Sequence, residues 1–369
     1  PLVKLGFANG IAQGFGVMVS HAFGAKDFKL LRHYVALSLI LTLIISLLLT
    51  IPTVTASRLL LAWMHTPENI IAMADAYIKV IFAGILLTMA YNVLSGILRG
   101  IGDSRTPLYF LILSSVLNII LDVVLIVYTG LGTAGAAYAT IIAQGVSAVL
   151  CFFYMYRKYD ILRTRHEDYY LDSAGVKNML AIGVPMALNY SITAIGTMIM
   201  QSAVNVFGSS VVAAFTAASK VSNIATQSMP TLGTAMATYC GQNLGAGKYD
   251  RIYAGMRQGL FLCFGAAATA AAICIFGGRF IVSWFVSNPS EEIFSSAMQY
   301  LTIASWFFLP LAMIFLYRNA LQGLDLIPAS TGFFGVCFAD PAAWAGAGIP
   351  LFITYLLWEH RMKQCSMAV

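Results

Sequence analysis

Long apolar runs separated by short polar turns fill almost the entire chain. They lie near 1–22, 35–62, 76–98, 107–128, 133–156, 178–206, 212–240, 254–286, 294–322 and 333–359. About 20 mostly apolar residues in a helix cross the hydrocarbon of a bilayer, so each run is a predicted membrane span, the first of them incomplete. The longer runs exceed that need, which implies tilt or protruding ends. Gly, Ala, Ser and Thr are dense within the runs and let helix backbones approach closely. A transmembrane β-barrel would instead alternate polar and apolar positions in strands of about ten residues; no such pattern occurs.

Composition narrows the class further. The chain is 59% hydrophobic and 10% charged, with a mean hydropathy of +0.81, whereas soluble domains carry about 25% charged residues. Too few charges remain to cover a water-facing surface. A soluble enzyme, a disordered chain and a secreted disulfide scaffold are therefore excluded. The six cysteines form no C-x-x-C pair and sit mostly in apolar runs, as small buried hydrophobes do.

The basic residues give orientation. They gather in the turns at Lys26, Lys29 and Arg32, at Arg99 and Arg105, in the link with Arg157, Lys158, Arg163, Arg165 and Lys177, at Lys248, Arg251 and Arg257, at Arg318, and at Arg361 and Lys363. The alternate turns 64–75, 129–132, 207–211 and 287–293 contain no Lys or Arg. By the positive-inside rule the first set faces the cytoplasm. The net charge of +6 then reflects cytoplasmic loops, and no nucleic-acid partner is expected.

The chain also repeats itself. Phe23-Gly24-Ala25-Lys26 echoes Leu244-Gly245-Ala246-Gly247, Arg58 and Trp63 echo Arg279 and Trp284, Tyr77 echoes Tyr300, and Gly100 echoes Gly323. Both Gly-Ala turns face the same side, so the repeat is parallel, about an axis along the membrane normal. The register then slips. Gly135, Ala139 and Thr140 align with Gly335, Ala339 and Asp340, as if one helix were missing near Thr331. The run 178–206 has no first-half partner, so an N-terminal helix is also expected to be absent and the chain reads as a fragment of a twelve-span parent. The expected organisation is an N-terminal bundle 1–156, a cytoplasmic linker 157–177 and a C-terminal bundle 178–369.

These features resemble the multidrug and toxic compound extrusion (MATE) transporters. The resemblance rests on Gly24-Ala25-Lys26-Asp27, on Leu98-Arg99-Gly100-Ile101-Gly102-Asp103 before Thr106-Pro107, and on Asn118 with Leu121-Asp122. It also rests on Gly130-Leu131-Gly132 with Gly135-Ala136-Ala137, on Gly183-Val184-Pro185, and on Gln242-Asn243-Leu244-Gly245-Ala246. It covers nearly the whole chain. It implies an all-α polytopic fold of two six-helix bundles in pseudo-two-fold repeat, here without the N-terminal helix and one C-half helix. It further implies a multi-pass protein of a prokaryotic inner or plasma membrane that exports amphipathic, often cationic, compounds against a cation gradient.

Ionisable groups at membrane depth are costly and functional by default. Asp122 lies about 10 Å from the outer end of its helix at 1.5 Å per residue. Asn118 is one turn earlier on the same face, and Thr140 has a similar depth on the next helix. A carboxylate, an amide oxygen and a hydroxyl suit Na⁺, and protonation of Asp122 would serve H⁺. The resemblance assigns Asn118, Asp122 and Thr140 to the cation site of the N-terminal half, with a further Asp expected on the absent first helix. A carboxylate used by another branch of the family on the seventh helix is replaced by Thr193. Packing between helices is the competing reading for the Asn–Asp pair.

Asp340, at the repeat position of Thr140, and Lys220, within its span, are candidates for substrate binding or coupling. Lys220 could also pair with a carboxylate or snorkel. Arg58 and Arg279 are expected at lipid headgroups, His21 solvated at a helix end, and Pro185, Pro230 and Pro310 at helix kinks. There is no phosphate-binding loop of the G-x-x-x-x-G-K-[ST] type and no H-E-x-x-H. No enzymatic activity and no cofactor beyond a coupling ion, Na⁺ or H⁺, are expected. The expected partners are small amphipathic or cationic substrates and the lipid bilayer, with the chain a monomer. A lipid-linked oligosaccharide flippase of the same superfamily and a non-transporting truncated remnant stay open as alternatives.

Overall fold

The computed structural model describes residues 2–63, 68–204, 208–286 and 290–324. Asp340, the span 333–359, the gap near Thr331, Arg361 and Lys363 lie outside the described residues. The first half contains α1 (Leu2–Gly24), α2 (Phe28–Thr55), α3 (Ser57–Trp63), α4 (Glu68–Ala83), α5 (Ile85–Gly100), α6 (Arg105–Val123) and α7 (Gly132–Lys158). Then follow α8 (Ser173–Val204), α9 (Ser209–Thr226), α10 (Ser228–Gly245), α11 (Tyr249–Phe276), α12 (Gly278–Phe285), α13 (Glu291–Trp306) and α14 (Phe308–Gly323). A π-helical turn, Val124–Tyr128, extends α6. Helices α2, α7, α8, α11 and extended α6 are long and apolar enough to cross a membrane, and the bent pairs α4–α5 and α13–α14 qualify as one span each. The protein is a multi-pass helical membrane protein.

The repeat is written in the backbone. The α2–α3 break falls at Ala56 and the α11–α12 break at Gly277, in the register that aligns Arg58 with Arg279. The α4–α5 pair bends by 44° and the α13–α14 pair by 47°, at Gly84 and Phe307, in the register of Tyr77 and Tyr300. Pro230 and Pro310 sit at interruptions of long helical segments, Pro310 at the 47° bend of the α13–α14 span. Each is the third residue of its helix, α10 and α14, where a missing N–H costs nothing, and the break lies just upstream. Pro185 sits inside α8, which runs on through it.

Helices α1 and α10 end in the same turn. The N–H of Asp27 donates to the Ala22 carbonyl at 3.1 Å, and that of Lys248 to the Asn243 carbonyl at 2.8 Å. Each turn needs one left-handed residue, Lys26 at φ 58° and Gly247 at φ 67°. Glycine adopts this conformation freely, and a side chain costs about 1 kcal/mol or more there. Lys26→Gly is therefore expected to raise thermal stability in detergent by about 1 kcal/mol and Gly247→Ala to lower it by a similar amount. Unchanged melting of both variants would show that the turns carry no such strain.

A third turn of this kind explains the Leu98–Asp103 motif. The N–H of Asp103 donates to the Leu98 carbonyl at 2.9 Å, with Gly102 at φ 94°. The Asp103 carboxylate then starts α6. It accepts from the Thr106 N–H at 3.0 Å and hydroxyl at 2.5 Å, and from the Tyr159 hydroxyl at 2.6 Å. Burial works against its ionisation, but these bonds and nearby Lys158 outweigh burial and hold the carboxyl below its ordinary range. Asp103 thus ties the α5–α6 turn to the end of α7.

Contacts divide the chain into two compact units. The first comprises residues 1–194, 234–258 and 319–324. Its core is α1 against α5, with Ile11, Phe15, Met89, Ile97 and Leu98 fully enclosed. Helices α4 and α6 pack on α7. The second comprises 195–233 and 259–318 among the described residues. There α9 packs on α12 and α13, with the Phe215 and Tyr300 rings edge to face at 5.3 Å. Cys151, Cys240, Cys263 and Cys274 are buried free thiols.

Candidate functional site

Helix α6 is apolar on nearly every side, so its sheltered stripe identifies the face that matters. Leu108, Leu111, Ile112, Val116, Ile119, Ile120 and Val123 are exposed and suit lipid. Ser114 is buried, and Leu117, Asn118, Leu121 and Asp122 are half-buried. These positions recur every three to four residues, as one helix face does, and this face lies on α7. Asn118 and Asp122 are thus turned toward protein.

Across the interface the Asn118 Nδ2 group donates to the Thr140 hydroxyl at 3.4 Å, and that hydroxyl donates to the Ala136 carbonyl at 3.0 Å. Asn118 and Thr140 are thus neighbours across the α6–α7 interface. Asp122 lies one turn outward on the same face. Its Oδ1 atom is buried and has no hydrogen-bond partner among the described residues. A carboxylate oxygen left this way costs several kcal/mol unless a proton or cation satisfies it. Among the described residues, no group of three or more His, Cys, Asp or Glu could hold a metal ion.

One feature of this site was not legible from hydropathy. The helix changes from α to π at Val124, two residues after Asp122. Single π turns are uncommon and concentrate at functional sites. The glycine-rich start of α7 accommodates it. A Cβ on Gly135 would stand 2.8 Å from the Leu125 carbonyl oxygen, so only glycine lets α7 approach the widened turn. The Gly130–Ala137 motif therefore serves the backbone beside Asp122.

The other candidates fall elsewhere. Lys220 is exposed on α9, with its ammonium 5.3 Å from the Phe285 ring centre, a cation–π contact within the second unit. Thr193 donates to the Asn189 carbonyl at 3.0 Å, one turn back on α8. Arg279 forms a bidentate pair with Glu291 at 2.7 and 2.9 Å, a surface pair of small energetic weight.

A second polar cluster, missed from sequence, lies in the first unit where α1 meets α8, α10 and α14. Gln13 is buried. Its Nε2 donates to Asn319 Oδ1 at 2.8 Å and to the Thr234 hydroxyl at 3.3 Å, and its Oε1 accepts from the Tyr190 hydroxyl at 3.0 Å. A small opening beside it is lined by Arg99, Thr234 and Thr238. His21 is not solvated as expected. It is half-buried, and its Nε2 lies 2.6 Å from the Gly323 carbonyl. Gln242 donates to the Gly100 carbonyl at 2.8 Å. Helix α1 lies so close to α8 that a Cβ on Gly10 would stand 2.4 Å from the Ala187 Cα and one on Gly14 2.4 Å from the Gly183 Cα. Helices α1 and α5 of the first half are thus cross-linked to α8, α10 and α14 of the second.

The apolar spans and their parallel repeat define a polytopic helical membrane protein built from two related halves. The MatE family profile matches residues 2–124 and 185–338; the chain belongs to the MatE family. It is 30% identical over 311 residues to the probable multidrug resistance protein YpnP of Bacillus subtilis strain 168, covering 83% of this chain and 68% of that protein. It is 26% identical over 339 residues to the probable multidrug resistance protein YoeA of the same organism, covering 90% and 73%. Among solved structures it resembles the outward-facing conformation of a multidrug resistance MATE family transporter of the MOP superfamily. There the TM-score is 0.84 and the identity 23%, over 92% of this chain and 74% of that one. A MOP superfamily transporter from Pyrococcus furiosus, described as having a binding pocket of reversed polarity that suggests a different function, has the same fold. Its TM-score is 0.83 and its identity 23%, over 93% and 78%.

Proposed function

We propose that the chain is a cation-coupled antiporter that exports amphipathic, often cationic, drugs or toxic metabolites by alternating access. Na⁺ or H⁺ enters from outside and is held at Asp122, with Asn118 and Thr140 completing the first-half site. The observation that carries this reading is the buried, unpartnered Asp122 oxygen on the protein-facing stripe of α6. The multidrug resistance relatives support the substrate class. Cation and drug bind the two conformers with different affinity, so each shifts the same equilibrium and the inward flow of one drives the outward flow of the other. Asp340 and Lys220 are the second-half candidates for substrate binding or coupling.

The test is efflux of a fluorescent cationic dye from proteoliposomes, driven separately by a Na⁺ gradient at uniform pH and by a pH gradient in Na⁺-free buffer. At least one gradient is expected to drive efflux and to dissipate in step with it. Dye movement indifferent to both would overturn the reading.

A further inference from the structure

The strap that joins α7 to α8 is fastened to α2 through one buried histidine. His33 is 4% exposed. Its Nδ1 lies 3.1 Å from the Asp168 carbonyl, and its Nε2 lies 2.7 Å from Asp172 Oδ1. The Tyr170 ring stacks on the imidazole at 4.0 Å between centres. Both ring nitrogens therefore face acceptors. A neutral imidazole has only one N–H and can satisfy only one of them; the imidazolium satisfies both.

The groups around His33 indicate where the proton resides. From the strap, Asp168 presents its carbonyl, while its buried carboxylate is engaged by the Arg165 N–H at 2.7 Å and by Arg32 at 3.3 Å. At the start of α8, Asp172 accepts from the Gly175 N–H at 2.5 Å. That bond, opposed by burial and reinforced by His33, holds the Asp172 carboxyl below its ordinary range. Asp172 is thus the acceptor and His33 the donor. From its own helix, Arg32 and Tyr34 flank the ring, Tyr34 at 6.1 Å.

We infer that His33 is a pH-sensitive clamp: its charged form docks the 160–172 strap and the start of α8 onto α2, and its deprotonation loosens them. The sign follows from the donor count: the imidazolium donates to both the Asp168 carbonyl and Asp172, the neutral ring to only one of them, so docking weakens when rising pH removes the ring proton. On the acid side it weakens only where Asp172 itself becomes protonated. The strap links the first-half helices to those that follow, so cytoplasmic pH sets how firmly α8 is tied to α2. The inference does not depend on which ion drives transport.

Hydrogen exchange of the 160–172 strap in the purified chain tests it. After correction for intrinsic exchange, protection is expected to fall about tenfold between about pH 6 and about pH 8.5, the scale of one lost hydrogen bond to a charged group. In His33→Gln, which keeps one donor and cannot titrate, that dependence should vanish. Equal protection of the wild-type strap at both pH values, or the same decline in His33→Gln, would overturn the clamp. Should the variant fail to fold, the ring nitrogens of wild-type His33 report directly by ¹⁵N spectroscopy. Two N–H signals at the lower pH and one at the higher support the clamp, and a single N–H throughout refutes it.

Discussion

Asp122→Asn is expected to reduce dye efflux to the background of empty vesicles without lowering the thermal stability of the protein. The two halves of this expectation have one cause. The Asp122 Oδ1 atom is buried and lacks a donor among the described residues, an arrangement that costs several kcal/mol when the oxygen is charged. Asparagine removes the charge, so the folded state loses a penalty and melts at or above the wild-type temperature. The same change removes the only carboxylate of the Asn118–Asp122–Thr140 group, and an amide neither releases a proton nor neutralises a cation. A structural role predicts the opposite pattern, in which lower melting and lower activity move together. Efflux by Asp122→Asn at the wild-type rate would end the assignment.

Gly10→Leu is expected to be as damaging, by a different route. The α1–α8 contact leaves no room for a side chain. A Cβ on Gly10 would meet the Ala187 Cα and N at 2.4 Å, and both are backbone atoms that cannot rotate aside. Leucine must push the helices apart, at about 3 kcal/mol, the upper end of ordinary overpacking. Separation of α1 from α8 also strains the Gln13 bond from Tyr190 and, through α1, those to Thr234 and Asn319. The expected readouts are a melting temperature lowered by several degrees and efflux lost in proportion. Wild-type melting of Gly10→Leu would mean that the helices do not approach as closely as described.

Much of this was legible in the residues. Among the described residues, seven of the apolar runs coincide with helices or bent pairs long and apolar enough to cross a membrane, whereas the runs 1–22 and 212–240 form helices that fall short of that measure. The Phe23–Lys26 and Leu244–Gly247 echo gave the repeat, and both turns close through the same backbone bonds. Helical spacing puts Asn118 and Asp122 on one face of α6, the face on which Asn118 meets Thr140. What hydropathy cannot register is backbone geometry. The π turn after Asp122 contains the same apolar side chains an α turn would. Nothing in the run 76–98 marks Gly84 as a bend until α5 is seen on α1. His21 was read as solvated because it ends a helix, but its bond to Gly323 joins residues far apart in sequence. Charge alone likewise put Arg99 in a loop, whereas it lies on the last turn of α5 beside Gln13.

The bend at Gly84 gives the α4–α5 span a mechanical character that a straight helix lacks. Its first segment, α4, rests chiefly on α7, while its second, α5, rests on α1 and α2 as well as α7. A stiff rod would transmit any tilt at one membrane face undiminished to the other. Two short levers meeting at 44° instead let each leaflet's end of the span follow its own neighbours.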